Sequence, residues 1–129
     1  MTAKRKVLKT DKAPAAIGPY SAGISTGDML FISGTLGMNA QTGQLVEGGI
    51  ESETRQALQN LEHILIAGGS SLAQVVKTTV FLQDLGEFSK MNAVYAEYFS
   101  EEPPARSTVQ VAALPKNAAV EIEAIAMVG

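Results

Sequence analysis

Three charged side chains lie in segments whose composition otherwise predicts buried β-strands. Arg106 lies in the segment 103–111, and Glu121 and Glu123 lie in the segment 120–126. An unpaired charge inside a sheet is costly, so a charge at such a position requires a partner or a ligand. A guanidinium binds a carboxylate through two parallel hydrogen bonds, and a carboxylate can orient a water molecule or move a proton. From the residues alone, a binding role for Arg106 is no better supported than an ion pair with Glu121 or Glu123 across a subunit interface.

Hydrophobic periodicity and turn residues predict an α+β fold. A first helix spans about 51–67 and ends at Gly68 and Gly69, and a second follows Asp84, with Glu87 in capping-box position. Strands are predicted at 6–10, 21–25, 29–33, 75–82 and in the two segments that carry the charges. The resulting order is β-β-β-α-β-α-β-β around one sheet.

Two helices cover only one face of a sheet of about six strands, so the other face needs a different cover. Side chains alternate between the faces of a strand, which gives each charged strand one apolar and one mixed face. The mixed faces comprise Arg106, Thr108 and Gln110 in one strand and Glu121, Glu123, Ile125 and Met127 in the other. We expect these faces to lie together on the uncovered side of the sheet, and a symmetric oligomer to cover them.

The composition predicts one globular domain over residues 1–129, without disulfides or metal. The chain has no cysteine, which excludes a disulfide framework, a thiolate zinc site and a cysteine nucleophile. His63 is the only histidine; it lies in the middle of the first predicted helix and has no second ligand for a metal. Stability must therefore come from packing and assembly.

The charge and hydropathy of the chain bear on its partners and location. A net charge of −3 argues against binding to nucleic acid. The only basic cluster, Lys4 to Lys6 with Lys9, is more typical of a solvated tail or edge strand than of an organelle-targeting signal. No apolar run has the length of a membrane span, and the first residues do not predict a secretory signal. We expect a cytoplasmic protein, with a mitochondrial or other organelle pool as the alternative.

Several short segments, in the same order and spacing, resemble the reactive intermediate deaminase family, RidA/YjgF. They cover nearly the whole chain. The matching segments are A-A-I-G-P-Y at 15–20, F-I-S-G at 31–34, V-K-T-T-V-F-L-Q-D-L at 76–85, Asn92, P-A-R-S at 104–107, A-L-P-K at 113–116 and E-I-E-A-I-A at 121–126.

The resemblance implies a fold, an assembly and an activity. The fold is a chorismate-mutase-like α+β domain, with a mixed sheet of about six strands, two helices on one face and the last strand inside the sheet. The assembly is a homotrimer with three sites in the clefts between subunits. The activity is hydrolysis of enamines and imines, such as 2-aminoacrylate, 2-iminopropanoate and 2-iminobutanoate, released by pyridoxal-phosphate-dependent dehydratases. The products are 2-oxo acids and ammonia, and no cofactor is implied.

The resemblance also assigns roles to individual residues. It implies Arg106 as the carboxylate clamp, Glu121 as the group that positions the attacking water, and Tyr20 as a catalytic residue at the mouth of the pocket. The implied substrate-binding residues are Ser33, Gly34, Asn92, Arg106 and Thr108. Three alternatives stay open: Tyr20 as a packed aromatic, Asn92 as a helix-surface residue, and Glu123 as an interface partner, which is favoured over a role in the site.

The chain also departs from the family pattern. Thr108 stands where many members have cysteine, which excludes a thiol mechanism but leaves its backbone N–H. Thr35 replaces a common glutamine and Pro103 a common aromatic residue, so the shape of the pocket and the preferred substrate length are open. Two other functions are weighed: a translation-inhibiting endoribonuclease, which the acidic charge and the solitary His63 oppose, and a small-molecule-binding or holdase protein without turnover.

Overall fold

The computed structural model describes residues 5–129, and its elements follow the predicted β-β-β-α-β-α-β-β order. The α+β class is therefore confirmed. Of the basic cluster near the start, Lys4 lies outside the described residues. The elements are β1 Lys6–Leu8, β2 Gly23–Ser25, β3 Met29–Leu36, α1 Gly49–Ala67, β4 Val75–Leu82, α2 Phe88–Tyr98, β5 Ala105–Gln110 and β6 Val120–Met127.

The start of α2 differs from the prediction. Asp84 does not cap the helix, because its carboxylate accepts a hydrogen bond of 2.8 Å from the backbone N–H of Gly86 within a short 3-10 turn over 85–87. The helix begins at Phe88, and the side chain of Glu87 makes no capping hydrogen bond. The predicted capping box is wrong because Asp84 instead closes the tight turn that precedes the helix.

The six strands found in residues 5–129 form one mixed sheet in the order β1-β2-β3-β6-β4-β5. Only β4 and β5 are parallel, and α2 is the crossover that parallel neighbours require. The last strand, β6, lies between β3 and β4. Its position inside the sheet is as the family resemblance implied.

Both helices pack on the same face of the sheet, and the core lies between the two layers. The central stripe of α1, formed by Leu58, Leu61 and Leu65, is fully buried against strand residues such as Leu30 and Ile122. One buried polar side chain of α1 also ties the helix to the end of β3: Asn60 Nδ2 donates hydrogen bonds to the carbonyls of Leu36 and Met38, at 3.1 and 2.9 Å. These contacts fix the edge of the sheet that carries part of the candidate site.

The opposite face of the sheet, here called the open face, carries large apolar side chains without cover. Phe31 and Met127 are 46% and 50% exposed, and Val109 is similarly exposed. Glu123 is also exposed, and Glu121 and Ile125 are partly exposed on the same face. An apolar surface of this kind is typical of a protein interface.

Within the described residues, no helix is long and apolar enough to cross a membrane.

Arg106 does not lie on the open face, so the expectation that it would lie beside Glu121 and Glu123 is wrong. In the β4/β5 register Arg106 pairs with Thr78, which is fully buried beneath α2. Neighbouring residues in register point to the same side of a sheet. Arg106 therefore points to the helix-covered face, and Thr108 and Gln110 share that face with it.

Candidate functional site

Arg106 is the centre of a cluster with three residues of α2. Its Nη1 donates a hydrogen bond of 2.7 Å to Asn92 Oδ1. Its Cζ lies 4.7 Å from the ring centroid of Tyr95 and 5.5 Å from that of Phe88. The side chain is held by a hydrogen bond and by two aromatic rings, so its orientation is set before any ligand arrives.

The spacing of these residues along α2 explains the cluster. Phe88, Asn92 and Tyr95 lie at i, i+4 and i+7, which places them on one face of a helix. The hydroxyl of Tyr95 forms a 2.7 Å hydrogen bond with Thr78 Oγ1 on β4. Burial raises the pKa of Tyr95, so this phenol stays protonated.

A cavity of about 370 Å³ adjoins the Arg106 cluster. Its wall includes Pro103 and Pro104, together with Asn92, Tyr95 and Arg106. Pro103 thus lines this cavity at the position where the family resemblance places an aromatic residue. The cavity presents a fixed guanidinium beside a small, mostly apolar hollow, which suits a short carboxylic acid.

Glu121 lies in a separate cavity of about 370 Å³, which we call the Glu121 cavity. Tyr20, Ser33 and Gly34 also line it. The side chain of Glu121 lies directly against Gly34, where a Cβ would be 2.6 Å from Glu121 Cδ. The strand β3 shifts register between Ile32 and Thr35, which brings Gly34 into this position. Only glycine leaves room for the carboxyl group there.

Ser33 connects the sheet to the loop that carries Tyr20. Its Oγ donates a 2.6 Å hydrogen bond to the carbonyl of Ser21, and its backbone N–H donates a 2.9 Å bond to the carbonyl of Ala22. The hydroxyl proton of Ser33 is therefore used within the protein, and its oxygen can still accept a hydrogen bond. Tyr20 is 53% exposed at the mouth of the cavity, where its hydroxyl accepts a long 3.4 Å bond from the Ile17 N–H.

The electrostatics of Glu121 differ from the expectation. Burial raises its pKa above the usual carboxyl range, and the like charge of Glu123 two residues away raises it further. The expected proximity of Arg106, which would keep the carboxyl ionised, is absent within one chain because the two residues lie on opposite faces. Glu121 is thus a carboxyl group able to hold a proton at higher pH than an ordinary glutamate.

The structure divides the predicted site residues into two groups. Tyr20, Ser33, Gly34 and Glu121 line one cavity, and Asn92 and Arg106 line the other. Thr108 is two residues from Arg106 on the same face of β5; its Oγ1 is buried and, among the described residues, has no hydrogen-bond partner. Each group is one half of the predicted site.

Several residues near the site were not predicted from the sequence. Lys116 lines the Glu121 cavity from a turn in which it and Asn117 have left-handed φ values of 57° and 58°. Glu53 of α1 supports this turn, because its Oε1 accepts a 2.8 Å hydrogen bond from the N–H of Ala119. Burial raises the pKa of Glu53. No sequence signal marks the Glu53 contact, since the partners are far apart in the chain.

The aromatic residues of the Arg106 cluster, Phe88 and Tyr95, were not among the predicted site residues. The i, i+4, i+7 spacing of Phe88, Asn92 and Tyr95 was a usable signal, because it places an amide between two aromatic rings on one helix face. In the part of the chain that the structure describes, no group of three His, Asp or Glu side chains is placed to hold a metal ion.

Comparison with known proteins identifies the family. The model of the endoribonuclease L-PSP family matches residues 10–128. The 2-iminobutanoate/2-iminopropanoate deaminase of Bos taurus is 53% identical over 125 residues, covering 97% of this chain and 91% of the relative. The crystal structure of RidA from the Antarctic bacterium Psychrobacter sp. PAMC 21119 is 45% identical, with a TM-score of 0.92, and the match covers 95% of this chain and 99% of that one.

A third relative has a ligand in its structure. The crystal structure of E. coli TdcF with bound serine is 42% identical, with a TM-score of 0.90, and the match covers 96% of this chain and 99% of that one. Identity of this level over nearly the whole length confirms the resemblance that the short segments indicated. The chain belongs to the endoribonuclease L-PSP family, which includes the RidA/YjgF reactive intermediate deaminases.

Proposed function

We propose that this protein hydrolyses short 2-imino acids and their enamine tautomers to 2-oxo acids and ammonia. The substrates are 2-iminopropanoate, formed from 2-aminoacrylate, and 2-iminobutanoate, both products of pyridoxal-phosphate-dependent dehydratases. The observation that carries the proposal is the pair of half-sites: a fixed guanidinium at Arg106 and a carboxyl of raised pKa at Glu121. The name of the bovine relative, a 2-iminobutanoate/2-iminopropanoate deaminase, supports the same reaction.

The complete site in this proposal forms between subunits of a homotrimer. Arg106 and Glu121 of one chain point to opposite faces of the sheet, so a single copy cannot bring them to one substrate. The exposed apolar side chains of the open face supply a surface for contact between copies. A single domain over residues 1–129 and a cytoplasmic location belong to the same proposal.

Arg106 binds the substrate carboxylate. Because Asn92 and the two rings already hold the guanidinium, little conformational entropy is lost when the substrate binds. A charge-assisted contact contributes on the order of 1.5 to 3 kcal/mol, which is a large share of the affinity of so small a molecule. The backbone N–H of Thr108 is the second candidate contact on this side.

Glu121 directs the hydrolysis. Water forms a bond to C2 of the imine, the π electrons of the C=N bond move to nitrogen, and nitrogen takes a first proton from solvent. Glu121 accepts a proton from the attacking water and returns it to nitrogen, after which the C–N bond breaks and ammonia leaves. The remaining hydroxyl loses its proton to give the 2-oxo acid. A carboxyl with raised pKa suits both directions of this transfer.

Tyr20, Ser33 and Gly34 shape the Glu121 cavity in this mechanism. The hydroxyl of Tyr20 at the cavity mouth orients water or the leaving ammonia. The oxygen of Ser33 accepts a hydrogen bond, since its own proton is bound to the Ser21 carbonyl. Positioning and electrostatics are sufficient because reactive imines need little acceleration, and no covalent intermediate is required.

The decisive experiment couples this protein to a threonine dehydratase and follows 2-oxobutanoate formation. Wild-type protein is expected to raise the rate, and Arg106→Ala is expected to abolish the gain. Arg55→Ala is the matched control, because Arg55 is exposed, pairs with Glu97 at 2.8 Å and lines neither cavity. Equal rates with wild type and Arg106→Ala would refute the clamp, and no gain with wild type would refute the deaminase.

The description of the family model supports a second candidate function, that of an endoribonuclease. The net charge of −3 opposes it, since RNA binding draws on clustered basic residues. RNA cleavage by purified protein that is lost in Glu121→Gln would support this candidate. A third, a binding or holdase protein without turnover, predicts 2-oxobutanoate binding with no change in dehydratase output.

A further inference from the structure

Tyr95 lies directly beneath the proposed carboxylate clamp, where its ring is one of the two that hold the Arg106 guanidinium. We propose that Tyr95 is a positioning residue, whose aromatic ring holds the Arg106 guanidinium in the orientation that binds a carboxylate. The inference rests on the proposed function, because it assumes that Arg106 is the clamp.

The ring of Tyr95 is itself held on several sides. Its side chain is 4% exposed. Its hydroxyl forms a 2.7 Å hydrogen bond with Thr78 Oγ1, which is fully buried. The ring of Phe99 packs behind it, with centroids 4.8 Å apart and planes inclined by 39°. A ring fixed in this way is a rigid support for the cation above it.

The strand register links the fixed hydroxyl to the guanidinium. Thr78 of β4 and Arg106 of β5 are partners in the parallel register. Tyr95 of α2 lies across this pair: its hydroxyl binds one strand and its ring face lies 4.7 Å from the Cζ of the arginine on the other. These contacts connect the three residues to the β4/β5 pair and fix the position of the guanidinium relative to the sheet.

The ring and Asn92 have different effects on Arg106. Asn92 Oδ1 accepts a hydrogen bond from Nη1 of the guanidinium. This bond limits rotation of the guanidinium about the bond that joins it to the rest of the arginine side chain. The ring face limits movement out of the guanidinium plane, which a single hydrogen bond does not restrain. A long side chain with many rotamers loses much entropy on binding unless it is ordered beforehand. Loss of the ring should therefore weaken carboxylate binding even though the charge and the hydrogen bond remain.

The test measures binding of 2-oxobutanoate by calorimetry, together with kcat and KM in the dehydratase-coupled assay. Tyr95→Met keeps apolar volume but removes the ring, and it is expected to raise both Kd and KM by about tenfold while kcat changes by less than about twofold. Tyr95→Phe retains the ring and is expected to restore Kd to within about threefold of wild type. Tyr98→Met is the matched control, because Tyr98 is on the same helix but its hydroxyl binds Gln59 of α1.

A second measurement needs no change in packing. The chain has 3 tyrosines, so in a Tyr20→Phe, Tyr98→Phe background Tyr95 is the only one left. Replacing it biosynthetically by 3,5-difluorotyrosine nearly keeps the ring size and weakens the negative potential of its face. Because fluorine also makes the phenol more acidic, binding is measured at mildly acidic pH, where the phenol keeps its proton. Weaker 2-oxobutanoate binding by about threefold, relative to the same background with ordinary tyrosine, is expected.

Unchanged binding in folded Tyr95→Met, or in the fluorinated protein if Tyr95→Met does not fold, would overturn the proposal. Equal losses in Tyr95→Met and Tyr95→Phe would also overturn it, since the hydroxyl rather than the ring would then matter. Binding is measured without turnover, so the two hypotheses can fail separately. If wild type does not raise dehydratase output but binds 2-oxobutanoate in a ring-dependent way, the deaminase fails and the role of Tyr95 stands.

Discussion

Arg106 and Glu121 lie on opposite faces of one sheet and on either side of the same strand. Arg106 pairs with Thr78 of β4, and Glu121 pairs with Phe81 of that strand. The two β4 positions are separated by about 10 Å along the strand and point to opposite sides. In the proposed function, a site that needs both the clamp and the proton-transferring carboxyl therefore combines surfaces of two copies of the chain.

Arg106→Lys separates the charge of the clamp from its geometry. Lysine keeps a positive charge but cannot form two parallel hydrogen bonds or lie flat on the Tyr95 ring. KM is expected to rise by about tenfold to a hundredfold, with a smaller change in kcat, because the interaction is made in both the ground state and the transition state. Steady-state kinetics on the coupled reaction measure this. A KM equal to that of wild type would mean that charge alone binds the carboxylate.

Gly34→Ala places a methyl group against the carboxyl of Glu121. The new Cβ would lie 2.6 Å from Glu121 Cδ, so Glu121 must move and kcat is expected to fall by at least about tenfold. In a Glu121→Ala background the same change should cost less than about 0.5 kcal/mol of unfolding free energy, because the colliding atoms are gone. Urea denaturation of the four proteins of this cycle measures the coupling. If Gly34→Ala lowers the unfolding free energy equally in wild type and in Glu121→Ala, the strain does not come from contact with the Glu121 side chain.

The element order was predictable, and the face of Arg106 was not. Apolar residues of α1 and β4 recur with a clear period, so their bounds lie within two residues of the prediction. In β5 both faces contain polar residues, since Ser107 lies on one and Thr108 on the other. Alternation shows which residues share a face but not which face meets the helices. That choice depends on the contact of α2 with the edge of the sheet.

The details of the Glu121 cavity also could not be predicted from the sequence. The register shift in β3 that brings Gly34 against Glu121 leaves no periodic signal. The hydrogen bond from Ser33 to the Ser21 carbonyl depends on a loop whose path is set by packing. The family resemblance named these residues, but only the structure shows that Ser33 donates its hydroxyl proton to the Ser21 carbonyl.

Glu123→Gln is expected to shift the acidic limb of the pH dependence of kcat/KM to lower pH. The negative charge of Glu123 opposes ionisation of Glu121 and raises its pKa, although burial is the larger cause. Removing that charge lets Glu121 lose its proton at lower pH, so the form that accepts a proton from water persists further into acid. The pH profile of wild type and variant measures the shift. Movement of the limb to higher pH, or none, would show that a different group controls it.

Asn60→Ala is expected to destabilise the fold by about 2 to 4 kcal/mol. Asn60 is fully buried, and its amide satisfies the carbonyls of Leu36 and Met38 at the end of β3. The substitution leaves both carbonyls without that donor and opens a small cavity. Chemical denaturation measures the change, with the exposed Gln59→Ala in the same helix as control. A loss below about 1 kcal/mol would mean that water replaces the amide.

Mixing two inactive variants tests whether the site forms between subunits. Arg106→Ala lacks the clamp and Glu121→Ala lacks the carboxyl, so each homo-oligomer should be inactive. If each site takes Arg106 from one copy and Glu121 from another, random co-assembly after joint unfolding and refolding leaves about one site in four with both residues intact. About a quarter of wild-type activity is therefore expected from an equimolar mixture.

The same refolding applied to each variant alone is the control, and neither should regain activity. A mixture of Arg106→Ala with the Arg106→Ala, Glu121→Ala double variant should also stay inactive, because no copy supplies the arginine. Sedimentation equilibrium on each sample checks that the assemblies have the same mass. Complementation absent from a well-assembled mixture would mean that both residues act within one chain, which requires β5 to turn Arg106 away from Asn92 and α2. Since Tyr95 and Asn92 hold Arg106 on the helix-covered face, recovery of about a quarter is the outcome that this geometry predicts.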